Sequence, residues 1–324
     1  MVLPRQLFFT IYRIVTRKNN PMQLALFGLG KMGMQIAKRL HNNGFEVLAW
    51  NRSPEPRQAY VEFGGKAFET EKEVVDALTD SPRVFWVMLP NDVVEEFIFS
   101  EHGLQQYLRE GDIVIDGGNS FYKDSVRRAN TLREKGVHYF DSGTSGGVWG
   151  EKNGFALMVG GPANIWPTVE PIFETLSSGS NYGLVGDSGA GHFVKMVHNG
   201  IEYGMMEAIA EGYSVMHASP FKVDLPQVTK IYQEGSVVRS WLIDLMANIF
   251  ANEDIENTTG LVRATGEGEW TVNAGKELGV DVRVIEASLQ VRRESEQPEN
   301  QDQFRNKILA LLRKQFGGHA VNKK

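Results

Sequence analysis

The chain has 324 residues, enough for two domains at ~100–200 residues each, and its 42% hydrophobic and 23% charged residues exclude disordered and fibrous classes. It contains no cysteine, which excludes disulfides, thiol nucleophiles, iron–sulfur clusters and Cys-ligated zinc, and fits a reducing, cytoplasmic setting. The net charge of −6 argues against a general nucleic-acid binder, and no apolar run approaches the ~18–20 residues of a membrane span.

Residues 1–21 carry Arg5, Arg13, Arg17 and Lys18 and no acid. They read as an extension from an upstream start, with Met22 the working start, or else as a basic amphipathic leader. Gln23–Phe27 then reads as a strand ending in Gly28-Leu29-Gly30-Lys31-Met32-Gly33. A helical pattern with Met34, Ile36, Ala37 and Leu40 follows, stops at Asn43-Gly44, and gives way to a strand over Phe45–Trp50. This strand–turn–helix–strand context is what a dinucleotide fingerprint requires. Gly28 permits the tight turn, Gly30 lets backbone approach a pyrophosphate, and Gly33 allows close helix–strand packing. The helix start supplies N–H donors to the anion.

At the end of the second strand, Asn51-Arg52-Ser53 stands where NAD-binding units place a carboxylate for the ribose 2′-hydroxyl. Arg52 can pair with a 2′-phosphate. The reading is NADP, with NAD the alternative.

Apolar runs at Val84–Leu89, Ile113–Asp116 and Val137–Phe140 alternate with helical patterns at 92–107 and 121–135. The alternation predicts an α/β Rossmann-type doubly wound parallel sheet, with ligands bound beyond the carboxyl ends of its strands. Those ends read Leu89-Pro90-Asn91, Asp116-Gly117-Gly118-Asn119-Ser120 and Asp141-Ser142-Gly143-Thr144-Ser145-Gly146-Gly147.

Strand signals stop after residues 183–191, and an all-α domain is predicted. Its first helix, from about Ala190 to Ala218, carries Gly200, Gly204, Ala208 and Gly212 at four-residue steps. Such a stripe predicts a buried central helix with a close neighbour. Lys195, His198, Asn199 and Glu202 share another face at i, i+3, i+4 and i+7. That face is either a solvated, salt-linked surface or, if buried, an acid–base site. The expected divisions are 22–187 for the NADP-binding domain, 188–300 for a helical substrate and dimerisation domain, and 301–324 for a C-terminal helix and tail.

Taken together, Gly28–Gly33, Asp116–Ser120, Ser145–Gly147 and the run His192-Phe193-Val194-Lys195-Met196-Val197-His198-Asn199-Gly200-Ile201-Glu202-Tyr203 closely resemble decarboxylating 6-phosphogluconate dehydrogenases of the short form. The resemblance implies a homodimer or dimer of dimers in the pentose phosphate pathway and gluconate utilisation, acting on 6-phosphogluconate with NADP and without metal. It implies that Lys195 is the base and Glu202 the acid. Asn119, Ser145, Gly146, Gly147, His198 and Asn199 would hold the sugar acid, and Tyr203 and Arg239 the 6-phosphate. Gly28, Leu29, Gly30, Lys31, Met32, Gly33, Asn51, Arg52, Ser53, Leu89 and Asn119 would line the cofactor.

The ending Arg313-x-x-Phe316-Gly317-x-His319 resembles the family's tail, whose Arg and His reach the neighbouring subunit's phosphate. One departure stands out. Thr265 and Glu267 replace a phosphate-facing Lys and Thr of the long form, with Arg263 available to compensate. Competing readings are a β-hydroxyacid dehydrogenase of the 3-hydroxyisobutyrate type and a non-catalytic NADP-binding module.

Overall fold

The computed structural model describes residues 21–263 and 266–322. The leader expected at 1–21, except its last residue, lies outside the described residues, as does Thr265. The chain divides into two compact units, one of residues 21–145 with 150–192, the other of 146–149 with everything after 192.

The first unit follows β1 (Gln23–Phe27), α1 (Lys31–Asn42), β2 (Glu46–Trp50), α2 (Pro54–Glu62), β3 (Lys66–Phe68), α3 (Glu71–Ala77), β4 (Val84–Val87), α4 (Asn91–Phe99), β5 (Ile113–Asp116), α5 (Tyr122–Arg133), β6 (His138–Ser145), α6 (Gly150–Asn153), β7 (Phe155–Gly160), α7 (Trp166–Leu176) and β8 (Ser177–Gly186). The strands form one sheet in the order β3-β2-β1-β4-β5-β6-β7-β8, parallel throughout except between β6 and β7.

Alternate residues of a strand face opposite sides. Leu24, Leu26, Trp86, Ile113 and Ile115 accordingly enter one core with Ile36 and Leu40 of α1 and Phe173 of α7. Ala25, Phe27, Phe85, Val87 and Val114 enter another with Val74, Val94 and Leu132 of α3, α4 and α5. A sheet covered on both faces demands such near-continuous apolar strands. Strand order reverses between β1 and β4, which makes that crevice the ligand-binding edge of the sheet.

Three strands escape the sequence reading: β3, β7 and β8. The helix expected over 92–107 is also shorter. It ends at Phe99, and the chain doubles back so tightly that a Cβ on Gly103 would lie 2.8 Å from the Phe97 carbonyl.

The second unit consists of α8 (Ala190–His217, its first turn belonging to the first unit), α9 (Leu225–Gln233), α10 (Trp241–Asn252), α11 (Glu267–Glu277), α12 (Arg283–Glu294) and α13 (Phe304–Gly317). Its core joins Met206, Ala210 and Tyr213 of α8 to Ile243, Leu245, Met246 and Ile249 of α10 and Ile308, Leu309, Leu311 and Leu312 of α13. The C-terminal helix, set apart with the tail at 301–324 in the sequence reading, forms as α13 over 304–317 and joins this core.

The small-residue stripe of α8 behaves differently along its length. Gly200 meets Thr271 closely, a Cβ there falling 2.6 Å from the threonine methyl, whereas Ala208 and Gly212 are exposed. Beyond Gly204 the apolar side of the helix, not this stripe, is what is buried. Among the described residues no helix is long and apolar enough to cross a membrane, and no His, Cys, Asp or Glu cluster could hold a metal.

Candidate active site

In the first unit the fingerprint glycines are forced by backbone contact. Gly28 has φ +106°, and a Cβ on it would lie 2.3 Å from the Met88 carbonyl oxygen. A Cβ on Gly33 would lie 1.9 Å from the Gly28 carbonyl oxygen, so α1 packs onto the turn at a distance only glycine allows. Beside Gly30 there is open space within 4 Å, and Gly30 caps a helix whose first turn carries no acid. This edge fits a dinucleotide, with the N–H groups of a first helical turn and a positive helix end for its pyrophosphate.

Asn51 has a local task, accepting from the Leu29 N–H at 2.9 Å and donating to the Ser53 carbonyl at 3.2 Å. Arg52 and Ser53 are exposed beyond it. Leu89, beyond β4, is half-buried.

The loop bearing Asn119 is held by Asp116, which is fully buried. Its carboxylate accepts from the Gly118 N–H (3.1 Å), Ser120 Oγ (2.8 Å), Tyr139 Oη (3.0 Å) and Arg128 Nη1 (3.2 Å). His192 braces the same loop, bonded to Ser125 Oγ at 2.7 Å and the Gly118 carbonyl at 3.1 Å. Every valence of this histidine is in structural use.

In the second unit one face of α8 gathers the titratable residues. Lys195 Nζ lies 3.5 Å from His198 Nδ1, which is 3.1 Å from Asn199 Oδ1 and 3.9 Å from Glu202 Oε2. Burial lowers the pKa of Lys195, against the opposing pull of Glu202 and Glu267. Burial likewise lowers His198, and Lys195 adds to the effect. Glu202 is raised, again by burial first, with Lys195 and two arginines opposing. Base and acid are thus both pushed toward their neutral forms.

The arginines are Arg292 and Arg313. Arg292 of α12 is only 2% exposed, and its guanidinium lies 3.1 Å from the Tyr203 ring centroid. Its sole hydrogen-bond acceptor among the described residues is Met206 Sδ at 3.6 Å; no carboxylate or carbonyl oxygen takes it up. Burial, with Arg313 reinforcing it, brings its pKa down to about 10. Arg313 of α13, also buried, donates from Nη1 to the Arg263 carbonyl at 2.5 Å, and interacts electrostatically with Tyr203, Glu267 and Glu202. Arg263 itself is exposed.

Glu267 enters this group because α11 is pinned to α8. Thr271 Oγ1 lies 2.7 Å from the Met196 carbonyl and 2.9 Å from the Glu267 carbonyl. A Cβ on Gly268 would stand 2.6 Å from the Tyr203 ring.

Of the residues singled out in the sequence, Lys195, His198, Asn199, Glu202, Tyr203 and Arg313 come together in this unit. Arg239 does not join them. It is exposed just before α10, its side chain forming no hydrogen bond or ion pair among the described residues, and the cations beside Tyr203 are Arg292 and Arg313. Arg292 was missed. Arg313 lies beside Tyr203 and Glu202 in the one chain described, α13 being embedded in the core of its unit. His319 is exposed past the end of α13, Ser145 closes β6, and Gly146 and Gly147 belong to the second unit.

Residues 23–186 match the model of the NAD binding domain of 6-phosphogluconate dehydrogenase, and residues 191–322 match that of the 6-phosphogluconate dehydrogenase C-terminal domain. The chain belongs to the 6-phosphogluconate dehydrogenase family. It is 38% identical over 94% of its length to the NAD(+)-dependent, decarboxylating 6-phosphogluconate dehydrogenase of Haloferax volcanii, covering 99% of that protein. It is 33% identical over 91% of its length to the human decarboxylating 6-phosphogluconate dehydrogenase, of which it spans 64%. The Plasmodium falciparum 6-phosphogluconate dehydrogenase, solved with NADP+ and with 6-phosphogluconate, superposes with a TM-score of 0.78 at 31% identity, covering 85% of this chain and 62% of that one. Within the 6-phosphogluconate dehydrogenase family, then, this chain matches a compact relative nearly end to end and the longer ones over about three-fifths of their length.

Proposed function

We propose that the chain catalyses oxidative decarboxylation of 6-phosphogluconate to ribulose 5-phosphate and CO₂ with reduction of NADP. The observation that carries this reading is one group in which a lowered Lys195 and a raised Glu202 lie on the same helix face beside two buried arginines. A base and an acid whose surroundings push their pKa values from the usual range suit stepwise proton transfer near neutral pH.

The arginines are assigned to the 6-phosphate. Arg292 lacks an oxygen partner that a phosphate would supply, and Tyr203 carries it on its ring. When bound, the nicotinamide accepts the hydride of C3. Lys195, neutral, takes the proton of the 3-hydroxyl as the ketone forms. The β-keto acid loses CO₂ because the ketone receives the electrons of the breaking bond, and Lys195 returns its proton to that oxygen. Glu202 protonates C1 of the enediol while Lys195 takes back the proton of the C2 hydroxyl, which leaves the ketone of ribulose 5-phosphate. Asn119, Ser145, Gly146, Gly147, His198 and Asn199 are assigned to the sugar acid, and His319 to the phosphate end.

NADP preference rests on Arg52, exposed beyond the second strand with no carboxylate at its side in Asn51 or Ser53. The Haloferax relative is named for NAD(+), so both nucleotides belong in the assay. Homodimerisation, in the cytoplasm, is part of the proposal. Ile201, Met205, Ala208, Gly212 and Val215 are exposed on α8 at alternating steps of four and three, a stripe suited to a second copy.

The test is turnover of 6-phosphogluconate with each nucleotide while CO₂ release is followed. Lys195→Ala should abolish both signals and leave nucleotide binding intact, and Glu202→Gln should slow release of ribulose 5-phosphate. Near-normal kcat in Lys195→Ala would reject the mechanism.

A further inference from the structure

Two fully buried aspartates stand side by side at the carboxyl ends of neighbouring strands, Asp116 of β5 opposite Asp141 of β6. A buried carboxylate needs donors, and each takes them from a different element. Asp116 holds the loop that bears Asn119. Asp141 accepts from the backbone N–H of Gly189 at 2.5 Å and of His192 at 2.7 Å, and so caps the first turn of α8. The N–H groups of a first turn have no acceptor inside their helix, and a carboxylate is favoured at that end. The fit is tight. A Cβ on Gly191 would stand 2.4 Å from the Asp141 carbonyl oxygen and 2.6 Å from that of Met158, which leaves the root of α8 no room to slide over β6 and β7.

His192 joins the two systems. Its backbone belongs to the Asp141 cap, and its ring, almost wholly buried, reaches the Gly118 carbonyl with Nε2 at 3.1 Å. A carbonyl only accepts, so Nε2 carries a proton. Nδ1 is taken up by Ser125 Oγ of α5 at 2.7 Å. Gly118 is itself wedged in place, a Cβ on it falling 2.6 Å from the Leu89 carbonyl oxygen, and the next residue is Asn119. In the other direction α8 runs unbroken from His192 through Lys195, three residues on. We propose that His192 is a positioning residue that locks the Asn119 loop to the root of the helix carrying Lys195. The proposal rests on the roles assigned above to Asn119 and Lys195. Departure of the C3 hydride and removal of the 3-hydroxyl proton must share one geometry, and a misplacement of about 1 Å can cost about 100-fold in rate. In this arrangement Ser125 orients the ring, and the bond to Gly118 transmits its position to the loop.

Two conservative variants separate the bonds of the ring. Glutamine puts an amide nitrogen near the place of Nε2 and can still donate to Gly118. Asparagine is shorter and reaches only the place of Nδ1, facing Ser125. His192→Asn should lower kcat about ten-fold and raise the primary isotope effect on 6-phosphogluconate deuterated at C3, while the Kd for NADP, from titration, stays within about two-fold. His192→Gln should keep kcat within about three-fold of the wild type. Equal kcat in the two variants, or an unchanged isotope effect in His192→Asn, would overturn the positioning role. A measurement on the wild type stands even where the asparagine variant does not fold. Nitrogen-15 NMR of the histidine rings, with His192→Gln identifying the signal, should find a proton on Nε2 of His192. A ring protonated on Nδ1 alone could not bond to Gly118, and that result would overturn the proposal. Failure of the underlying functional reading looks different: a wild type that turns over no 6-phosphogluconate with either nucleotide removes the kinetic role, and only the NMR signature of the bridge then stands.

Discussion

Replacing Arg292 by methionine should make the protein more stable and a far poorer enzyme. The guanidinium is almost wholly buried, with a tyrosine ring and a thioether as its company. Its pKa has come down to about 10, which at about 1.4 kcal/mol per pKa unit corresponds to about 3 kcal/mol of unfavourable burial of the charge. That net cost already includes the pull of Tyr203 and the nearby carboxylates, so the charged arginine leaves the free protein less stable by about 1–3 kcal/mol, and methionine fills a similar volume without the charge. Thermal denaturation should therefore show a rise of at least about 2–4 °C for a unit of this size. Catalysis should move the other way. Two charge-assisted bonds to a phosphate, at about 1.5–3 kcal/mol each, predict a fall in kcat/KM of at least about 100-fold, carried mostly by KM. Initial rates against 6-phosphogluconate and a melting curve on the same preparation suffice. A lower Tm with an unchanged KM would mean that Arg292 is a strut of the core, and the phosphate assignment would fall.

Two further outcomes are expected. Removing Arg52 should cost about 1.5–3 kcal/mol of NADP affinity and hardly touch NAD, as titration of each nucleotide will show; equal losses would dissociate Arg52 from the 2′-phosphate. Glu207, buried in α8, has among the described residues no hydrogen-bond donor on either oxygen, only Arg305 Nε at 3.4 Å, and burial pushes its pKa up to about 7. A folded pKa above the unfolded one means that the group favours the fold fully below about pH 4.5 and loses that contribution as pH rises through about 7. Glu207→Gln should flatten the decline of Tm across that window, and identical slopes in wild type and variant would contradict the burial argument.

What the sequence discloses depends on whether local geometry or distant contact decides the matter. The Gly28–Gly33 turn is legible because its backbone is tied to glycine by close contacts within a few residues and across one neighbouring strand. Lys195 through Glu202 is legible because helical spacing alone puts those residues on one face. β8 is not, because Ser177–Gly186 has the composition of a loop and becomes a strand only through its pairing with β7. Arg292 is hidden for a similar reason. It stands next to Arg293, which is exposed and pairs with Glu269 at 3.2 Å, and nothing in the run Val291-Arg292-Arg293 tells the two apart. Only the packing of α12 against Tyr203 does. Arg239 fails in the opposite way, a neighbourhood that suggests a ligand and a side chain left in solvent.

Asn51 and Arg52 divide their labour in a way that bears on how such proteins diverge. The asparagine is committed to the architecture, because its amide oxygen receives the Leu29 N–H inside the glycine turn. The arginine beside it is exposed, and its side chain forms no hydrogen bond or ion pair among the described residues. With Arg52 holding the 2′-phosphate as proposed, discrimination between the two nucleotides would be rewritten through a single surface codon, with the scaffold indifferent to the exchange. In a lineage built on this sheet, redox economy would then be free to drift while the helix proposed for catalysis stays under constraint.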